Sequence, residues 1–384
     1  MNKLVTPLLA AVVLAVGVLA LLYWQWTRPW QAWLDYSRVF VQADGRVVDR
    51  TDGDRSTSEG QAYSLFFALV ANDRPAFERI LRWTGDNLCA GKPGEQLPAW
   101  LWGRRSDGSW GVKDPNPASD ADLWIAYTLL EADRLWGRPA WRQLAFKMLA
   151  LIKASEVADI PGAGLMLLPA PQGFQLVGGY WRLNPSYLPE FQLRYLAQTE
   201  VDGPWAALWR NHRSQMQALL SRGIAPDWYQ IDPSGRPVRD PITAGRSSYD
   251  AIRVYLWAGM TDGGSDGNSL LDQLKPYAGL IRARELPPEF LDFETGAASG
   301  GAPIGFSAAV LPFLARLDED SAAIQRRRLK ISRQQGSSGN LGTPPHYYDQ
   351  VLALFGEGWS ERRYQFDSEG RVIPRWSKTC CDWL

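Results

Sequence analysis

Helical periodicity is the feature of this 384-residue chain that most restricts its fold. Apolar residues recur every three or four positions, the spacing of an amphipathic α-helix, in about twelve segments. These segments are residues 30–40, 59–70, 76–88, 120–136, 140–152, 187–196, 204–220, 250–257, 270–281, 306–317, 322–331 and 347–355. They predict an all-α fold of six antiparallel pairs closed into an (α/α)6 barrel, or toroid. An open α-solenoid has the same periodicity, but no strict repeat of about 34 or 40 residues is visible.

Strand signals are short. Residues 40–49, 229–238 and 364–373 contain the turn sequences ADGRVV, DPSGRPV and DSEGRVI, which predict small β-hairpins decorating the helices. The Gly/Ser/Pro loops at 261–268 and 334–345 are too short to indicate a domain linker. We therefore expect one domain over residues 29–384.

Four serines precede or open predicted helices: Ser58, Ser119, Ser186 and Ser248. A serine hydroxyl at an N-cap accepts a hydrogen bond from a free N–H group of the first helical turn. We therefore expect these serines to be N-caps.

The N-terminal sequence is typical of a targeting segment. Lys3 is followed by the uncharged run LLAAVVLAVGVLALLYW, and a weak cleavage site follows Ala20. The run is long for a signal peptide and approaches the ~20 residues that span a bilayer, with aromatic residues and Arg28 after it. Residues 1–28 are therefore predicted to be a signal peptide or an uncleaved membrane anchor. Either one would place the rest of the chain in the periplasm or outside the cell. An uncleaved segment would tether the protein to the inner membrane, and we expect membrane contact only through this segment.

Composition excludes several classes of protein. The chain has 41 basic and 41 acidic residues, whereas nucleic-acid binding favours a basic excess. Its two histidines, His212 and His346, have no zinc-ligand spacing, and there is no G-x-S-x-G elbow. We expect no metal and no cofactor. The cysteines, Cys89, Cys380 and Cys381, form no disulfide framework, and free thiols are favoured over a bridge from Cys89 to the tail.

Tryptophan is unusually abundant, with 19 residues beside 14 Tyr and 13 Phe. An indole offers a flat apolar face and one N–H donor, which suits a sugar ring with apolar faces and polar edges. Most of these side chains are expected in the core, roughly two thirds, with the remainder in a cleft.

Three acidic residues open predicted helices beside aromatic and small residues: Glu59, Asp120 and Asp250. Each one alone is more simply explained as a favourable charge in the first turn of a helix. Helices that enter a ring from one end would bring all three to one cleft. Glycosidases need two such carboxyl groups, one protonated and one ionised.

The two roles need different surroundings. A helix N-terminus lowers a carboxyl pKa, which suits Asp250 as an ionised base with Arg253 one turn away. Glu59 as a proton donor would need aromatic packing, or the like charge of Asp120, to raise its pKa.

Several longer motifs carry a family resemblance. SEGQAYSLFFALVANDR, LPAWLWG, ASDADLWIAYTLLEADRLW, NPSYLP, APDW and SYDAIRVYLWAGM resemble glycoside hydrolase family 8, in particular the endoglucanases of bacterial cellulose synthesis operons. The resemblance covers about residues 30–355. It implies an (α/α)6 barrel, an inverting mechanism and no metal, with 29–384 as the catalytic domain.

The resemblance also implies roles for particular residues. Glu59 matches the proton donor, and Asp250 the position proposed as the base that activates water, oriented by Arg253. Asp120 matches the residue often described as the nucleophile. Because an inverting enzyme needs no covalent nucleophile, we expect Asp120 to hold the distorted sugar, although subfamilies differ in which of the two Asp residues activates water. In an inverting enzyme the donor and base carboxyls lie about 6.5–9.5 Å apart. The expected subsite aromatics are Trp100, Trp102, Trp110, Trp181, Tyr187 and Tyr347.

We therefore expect an inverting endo-β-1,4-glucanase that hydrolyses cellulose, accessory to bacterial cellulose biosynthesis, with a cellulose synthase complex as candidate partner. One alternative is a glucan-binding accessory protein that cuts little. A second is a polysaccharide lyase, which the neutral charge and isolated histidines disfavour. A third alternative is a hydrolase of xylan, chitosan or mixed-linkage glucan, because single changes of a subsite residue decide substrate specificity.

Overall fold

The computed structural model describes residues 28–261, 265–336 and 339–378 together with Gly17, with the backbone alone over 265–269. The predicted N-terminal targeting segment, apart from Gly17 and Arg28, lies outside these residues, and so do Cys380 and Cys381. Among the described residues, none of the helices combines the length and the apolar character needed to cross a membrane.

Thirteen α-helices run through the described part of the chain. They are α1 (Gln31–Phe40), α2 (Ser58–Val70), α3 (Arg74–Asn87), α4 (Ser119–Trp136), α5 (Pro139–Ser155), α6 (Glu190–Thr199), α7 (Trp205–Leu219), α8 (Ile252–Met260), α9 (Ser265–Arg284), α10 (Ile304–Ala309), α11 (Leu311–Leu317), α12 (Glu319–Gln335) and α13 (Tyr347–Ser360). Each of the twelve predicted segments corresponds to a helix, except that 306–317 forms two.

The helices form two concentric rings, which confirms the predicted (α/α)6 barrel. The inner ring consists of α2, α4, α6, α8, the α10–α11 pair and α13, and these helices are buried around most of their circumference. The outer ring, α1, α3, α5, α7, α9 and α12, buries one side only where it is described, as the six buried positions among the 14 residues of α3 illustrate. A helix that is apolar on every side must be surrounded by other elements, so it belongs to the inner ring. An amphipathic helix packs its apolar side on the inner ring and exposes its polar side to water.

Small antiparallel sheets decorate the barrel. The strands are β1 (Ser56–Thr57), β2 (Ala99–Arg104), β3 (Trp110–Pro117), β4 (Val157–Ile160), β5 (Gly164–Leu167), β6 (Trp181–Leu183), β7 (Tyr229–Ile231), β8 (Pro237–Arg239), β9 (Arg246–Ser247), β10 (Phe290–Asp292), β11 (Ala298–Ser299), β12 (Tyr364–Phe366) and β13 (Val372–Pro374). They pair as β1-β2-β3, β4-β5, β6-β7-β8, β11-β10-β9 and β12-β13. The hairpins β7–β8 and β12–β13 and a bridge between Val41 and Val47 confirm the three predicted turns.

Aromatic side chains fill the barrel axis. Phe66 of α2 lies 5.0 Å from Trp124 of α4 and 5.8 Å from Phe355 of α13, measured between ring centroids. The β12–β13 hairpin packs Phe366 against Phe191 of α6, with centroids 3.8 Å apart and an interplanar angle of 12°. The axis is therefore a packed core, and an open site can lie only at the ends of the barrel.

A proline explains why one predicted helix is two. Pro312 has no N–H group, and its ring interferes with a normal helical bond to the carbonyl of Ala308. The helix breaks between Ala309 and Leu311. The Ala308 carbonyl lies against Gly356 of α13, where an added Cβ would come within 1.8 Å of that oxygen, so this crossing requires glycine.

The predicted serine caps were wrong, because none of the four serine side chains caps the helix that follows it. Thr57 caps α2 by accepting the Gly60 N–H at 3.2 Å, so Ser58 is already helical. Ser119 begins α4 without any side-chain cap. Ser186 lies in a short 3₁₀ turn that Asn184 caps. The N–H group of Ser248 is satisfied by a side chain distant in sequence, described below.

Candidate active site

An open cavity of about 690 Å³ lies at the end of the barrel where the inner helices begin. Five of the predicted site residues line it: Glu59, Trp100, Asp250, Arg253 and Tyr347. They come from α2, β2, the residues before α8, α8 and α13. Of the three acids predicted to meet in one cleft, Glu59 and Asp250 line this cavity and Asp120 does not.

Glu59 lies partly buried in the first turn of α2. The indole N–H of Trp100 donates to Glu59 Oε1 at 3.1 Å, and the Ser58 hydroxyl lies 3.4 Å from Oε2. Burial raises the pKa of Glu59, and this rise is opposed by a hydrogen bond from the Glu59 backbone N–H, by the charge of Arg253 and by the Trp100 hydrogen bond. The protein therefore favours the protonated acid that a proton donor requires.

Asp120 lies beneath the cavity at the start of α4, with 2% of its surface exposed. The hydroxyl of Tyr63, which lines the cavity, donates to Asp120 Oδ2 at 3.4 Å, and the Ala121 N–H donates to Oδ1 at 2.9 Å. Burial, followed by the charge of Glu59, raises the pKa of Asp120 to about 7. The two carboxyl groups therefore titrate as an interacting pair, but burial rather than Asp120 is the main cause of the raised pKa at Glu59.

A second pair of acids lies behind Asp120. Asp122 and Glu156 are both fully buried, and their carboxyl groups contact each other. Within the described residues, no N–H or hydroxyl donor reaches any of their four oxygens. Burial raises the pKa of Asp122 well above its usual range and that of Glu156 to about 8. Burial therefore favours the protonated form of each of these two acids.

Asp250 has different surroundings. Its side chain is 32% exposed and accepts the Arg253 guanidinium at Oδ1, 2.8 Å away. The indole N–H of Trp228 donates to Oδ2 at 3.0 Å. Arg253 is itself fixed by the Ser186 hydroxyl, at 2.9 and 3.1 Å. The carboxylate is therefore oriented by two donors while it stays accessible to water, as a base requires. The predicted orienting role of Arg253 agrees with this contact.

Two predicted subsite tryptophans lie on the β2–β3 hairpin beside the cavity. Trp102 and Trp110 stack with centroids 5.3 Å apart and an interplanar angle of 24°. The Arg46 guanidinium lies 4.3 Å from the Trp102 centroid and 4.8 Å from that of Trp110. Trp110 is 45% exposed, which leaves it available to a ligand. This hairpin was not predicted from the sequence, although both of its tryptophans were predicted as subsite residues.

The remaining predicted aromatics are placed differently from one another. Tyr187 lies under the Arg253 guanidinium, 5.7 Å from its ring centroid, and meets Trp228 edge-on at 5.9 Å. Trp181 is in β6, paired with Ile231, and is not among the residues that line the cavity. Tyr347 lines the cavity, and its hydroxyl is packed so closely over Gly60 that an added Cβ would lie 3.1 Å away.

Three residues of the site, Tyr63, Trp228 and Asp227, were not predicted from the sequence, although Asp227 and Trp228 stand in the motif APDW. Asp227 Oδ1 accepts the backbone N–H groups of Ser248, Asp250 and Ala251 at 2.7, 3.1 and 2.9 Å. It takes the place of the predicted Ser248 cap. The acid followed by tryptophan in this motif was a sequence signal for a functional site. The residue that both contact, Asp250, lies more than 20 positions away, so the contact could not be predicted.

The acids of the cavity do not form a metal site. Within the described ranges, no group of three or more His, Cys, Asp and Glu side chains is arranged to hold an ion. His212 is buried outside the cavity, where burial lowers its pKa to about 4. His346 lines the cavity. Cys89 is a buried free thiol.

Comparisons with known proteins agree with this geometry. The model of the family described as "Glycosyl hydrolases family 8" matches residues 6–362. The endoglucanase of Xanthomonas axonopodis pv. citri (strain 306) is 46% identical over 357 residues, which cover 92% of this chain and 91% of that protein. The endoglucanase of Escherichia coli (strain K12) is 40% identical over 92% of this chain and 93% of its own length.

A solved structure shows the same fold. The crystal structure of endo-1,4-D-glucanase from Vibrio fischeri ES114 superposes with a TM-score of 0.86 at 37% identity, covering 91% of this chain and 100% of that one. The predicted family, fold and enzyme class are therefore confirmed: the chain belongs to the family 8 glycosyl hydrolases and is a cellulase-type glycoside hydrolase.

Proposed function

We propose that this enzyme is an inverting endo-β-1,4-glucanase in which Glu59 donates a proton and Asp250 activates water. The observation that carries the proposal is the placement of these two carboxyl groups in one open cavity with opposite surroundings. Relatives of similar length named endoglucanase support the substrate class.

The bond-breaking step uses Glu59. Trp100 occupies Oε1 as an N–H donor, so the acidic proton resides on Oε2 and is available to the glycosidic oxygen. As the C–O bond breaks, this proton moves to the leaving sugar and Glu59 becomes a carboxylate. The Arg253 charge and the Trp100 N–H, which both stabilise the ionised form, assist that change.

The attacking water is activated by Asp250. Arg253 and Trp228 each donate to one of its oxygens, so the carboxylate is fixed and keeps lone pairs for a water proton. The water oxygen bonds to the anomeric carbon from the face opposite the leaving group, which converts a β-linkage into an α-product. Asp120 lies beneath the same cavity, where we assign it to holding the distorted sugar through Tyr63 and its own carboxyl.

We also propose the cellular setting. The uncharged N-terminal run supports export, as a cleaved signal peptide or an inner-membrane anchor, with the catalytic domain in the periplasm or outside the cell. The motif resemblance to endoglucanases of cellulose synthesis operons supports an accessory role beside a cellulose synthase complex. Cell fractionation with N-terminal sequencing of the mature protein tests both parts: recovery from the cytoplasm with an intact N-terminus contradicts them.

The activity is tested with carboxymethylcellulose by following viscosity, reducing ends and the product anomer by proton NMR. A rapid viscosity fall with few reducing ends and α-anomer products is expected. β-Anomer products contradict inversion, and unsaturated products absorbing in the near ultraviolet indicate a lyase. Retained cellulose binding without cleavage indicates the binding role. Faster cleavage of xylan or chitosan in parallel assays reassigns the substrate.

A further inference from the structure

We propose that Trp228 is a positioning residue for the base Asp250, and that Asp227, Arg182 and Asp240 hold it in place. The inference rests on the proposed function of Asp250. The indole of Trp228 is therefore assigned to orienting a carboxylate and not to binding sugar.

The contact between Trp228 and Asp250 is direct and specific. Indole has one N–H donor and no acceptor, and this donor points at Asp250 Oδ2, 3.0 Å away. Arg253 donates to the other oxygen. Two donors on two oxygens determine the plane of the carboxylate, and therefore the direction from which it can remove a proton from water.

The indole ring is itself held by its neighbours. The Arg182 guanidinium lies 4.1 Å from the Trp228 ring centroid, and the Phe174 ring lies nearly parallel to the indole at 5.8 Å and 9°. Tyr187 packs edge-on at 5.9 Å. A guanidinium covers one face of this indole, and Trp228 is not among the residues that line the cavity, which argues against a stacking platform for sugar.

A buried acid fixes Arg182. Asp240 has no exposed surface and accepts two hydrogen bonds from the Arg182 guanidinium, both 3.2 Å long. It also accepts from the Gln230 amide and from Thr243. A bidentate pair keeps the guanidinium plane in one orientation, so the cation over the indole cannot rotate away.

The residue before Trp228 fixes the backbone of Asp250. Asp227 accepts three backbone N–H groups at residues 248–251, and Arg246 donates to its second oxygen at 3.1 Å. The dipeptide Asp227–Trp228 therefore binds both the main chain and the side chain of Asp250. A movement of this loop would therefore displace both the backbone and the carboxylate of Asp250.

The test compares Trp228→Phe with Asp250→Ala and with a matched control, Trp205→Phe. Phenylalanine keeps a ring at 228 but removes the N–H donor. Trp205 is fully buried in the outer helix α7 and donates to Glu200 at 2.7 Å, so its replacement loses a similar indole–carboxylate bond far from the cavity. Thermal unfolding is measured for all three.

For Trp228→Phe we expect kcat to fall about 10- to 100-fold with KM changed less than about twofold, since misplacing a reacting group by about 1 Å can cost this much. Azide provides the decisive readout, because it attacks the anomeric carbon without needing a base. Its nitrogen bonds to that carbon, the C–O bond breaks, and the Glu59 proton goes to the leaving oxygen, giving an α-glycosyl azide. Azide should restore turnover in Asp250→Ala and in Trp228→Phe, and Trp205→Phe should keep the wild-type kcat.

A second variant protects the test against a folding defect at position 228. Arg182→Lys keeps the positive charge beside Asp240 but removes the planar group over the indole. We expect its kcat to fall less than that of Trp228→Phe, and azide should restore the lost activity.

Two results for Trp228→Phe overturn the inference without touching the proposed base. A raised KM with unchanged kcat in Trp228→Phe assigns the indole to sugar binding, and a kcat loss that azide does not restore assigns it to general structure. In both cases the base assignment survives if Asp250→Ala loses activity and azide restores it. Full activity of Asp250→Ala contradicts the proposed base, and this inference with it.

Discussion

The two carboxyl groups assigned to proton transfer have opposite surroundings. Glu59 lies among aromatic residues with one indole donor, and burial raises its pKa. Asp250 is one-third exposed and carries an arginine on one oxygen and an indole on the other. Both sit at helix starts, which the sequence alone makes equivalent. Solvent access and the directly bonded cation, rather than position on a helix, therefore distinguish the base from the acid.

The largest effect is expected from Glu59→Gln. Glutamine keeps the shape and can still accept the Trp100 N–H, but it has no proton to give, so kcat on cellulose should fall about 10³-fold or more. Reducing-end assays measure the loss. An aryl glucoside with a good leaving group needs little protonation, so it should lose less activity. Equal losses on both substrates would contradict the donor role.

Asp250→Asn should cost about 10²- to 10³-fold in kcat, because water loses its base. Unlike Glu59→Gln, this loss should be the same for cellulose and for the activated aryl glucoside, since water attacks in both. Asp232→Asn is the matched control, because Asp232 lies in the β7–β8 turn and contacts its own hairpin. A loss that depends on the leaving group would reverse the two assignments.

Trp100→Phe should shift a pH profile more than it lowers the rate. The Trp100 N–H stabilises ionised Glu59 and so lowers its pKa. Without it the Glu59 pKa rises further, the proton is kept to higher pH, and the alkaline limb of kcat/KM should move upward, with a loss of about tenfold or less at the optimum. Steady-state kinetics over pH measure this. A downward shift would show that Trp100 does not act through Glu59.

The smallest effect concerns stability and the buried Asp122–Glu156 pair. Burial raises the pKa of Glu156 from 4.5 to about 8, so the folded state retains a proton that the unfolded chain releases. This contribution to the free energy of unfolding is present in full below pH 4.5 and is lost as pH rises towards 8. We therefore expect the Tm of Glu156→Gln to fall less than that of the wild type as pH rises from 4.5 towards 8. The difference should be a few degrees, because each kcal/mol of unfolding free energy changes Tm by roughly 2–4 °C.

Asp318 provides a control of opposite sign. Its hydrogen bonds to Ser321 and Arg282 lower its pKa below 3.8, so its contribution is present at neutral pH and is lost as pH falls. Asp318→Asn should thus differ from the wild type at neutral pH and converge with it in acid. Parallel Tm–pH curves for Glu156→Gln and the wild type would show that Asp122 and Glu156 do not hold a proton.

Local pattern was sufficient for the helices and for the candidate acids. Every predicted helical segment is present, because a 3.6-residue apolar period directly specifies which face is buried. The break at Pro312 was readable from the missing N–H, but the segment was predicted as one helix. The capping predictions failed because a cap depends on the φ/ψ of the residue and on competing acceptors, and Asp227 supplies the acceptor from a distant loop.

The all-α class, the family resemblance with the barrel that it implies, and the candidate site residues Glu59, Asp120, Asp250 and Arg253 could all be predicted from the sequence. These follow from periodicity and from motifs that are continuous along the chain. Tertiary structure alone decided that Glu59 is shielded while Asp250 is open, that Trp228 contacts Asp250 across 22 positions, and that Asp122 faces Glu156. The physical reason is that solvation and hydrogen bonding depend on neighbours in space, and those neighbours are assembled only when the rings close.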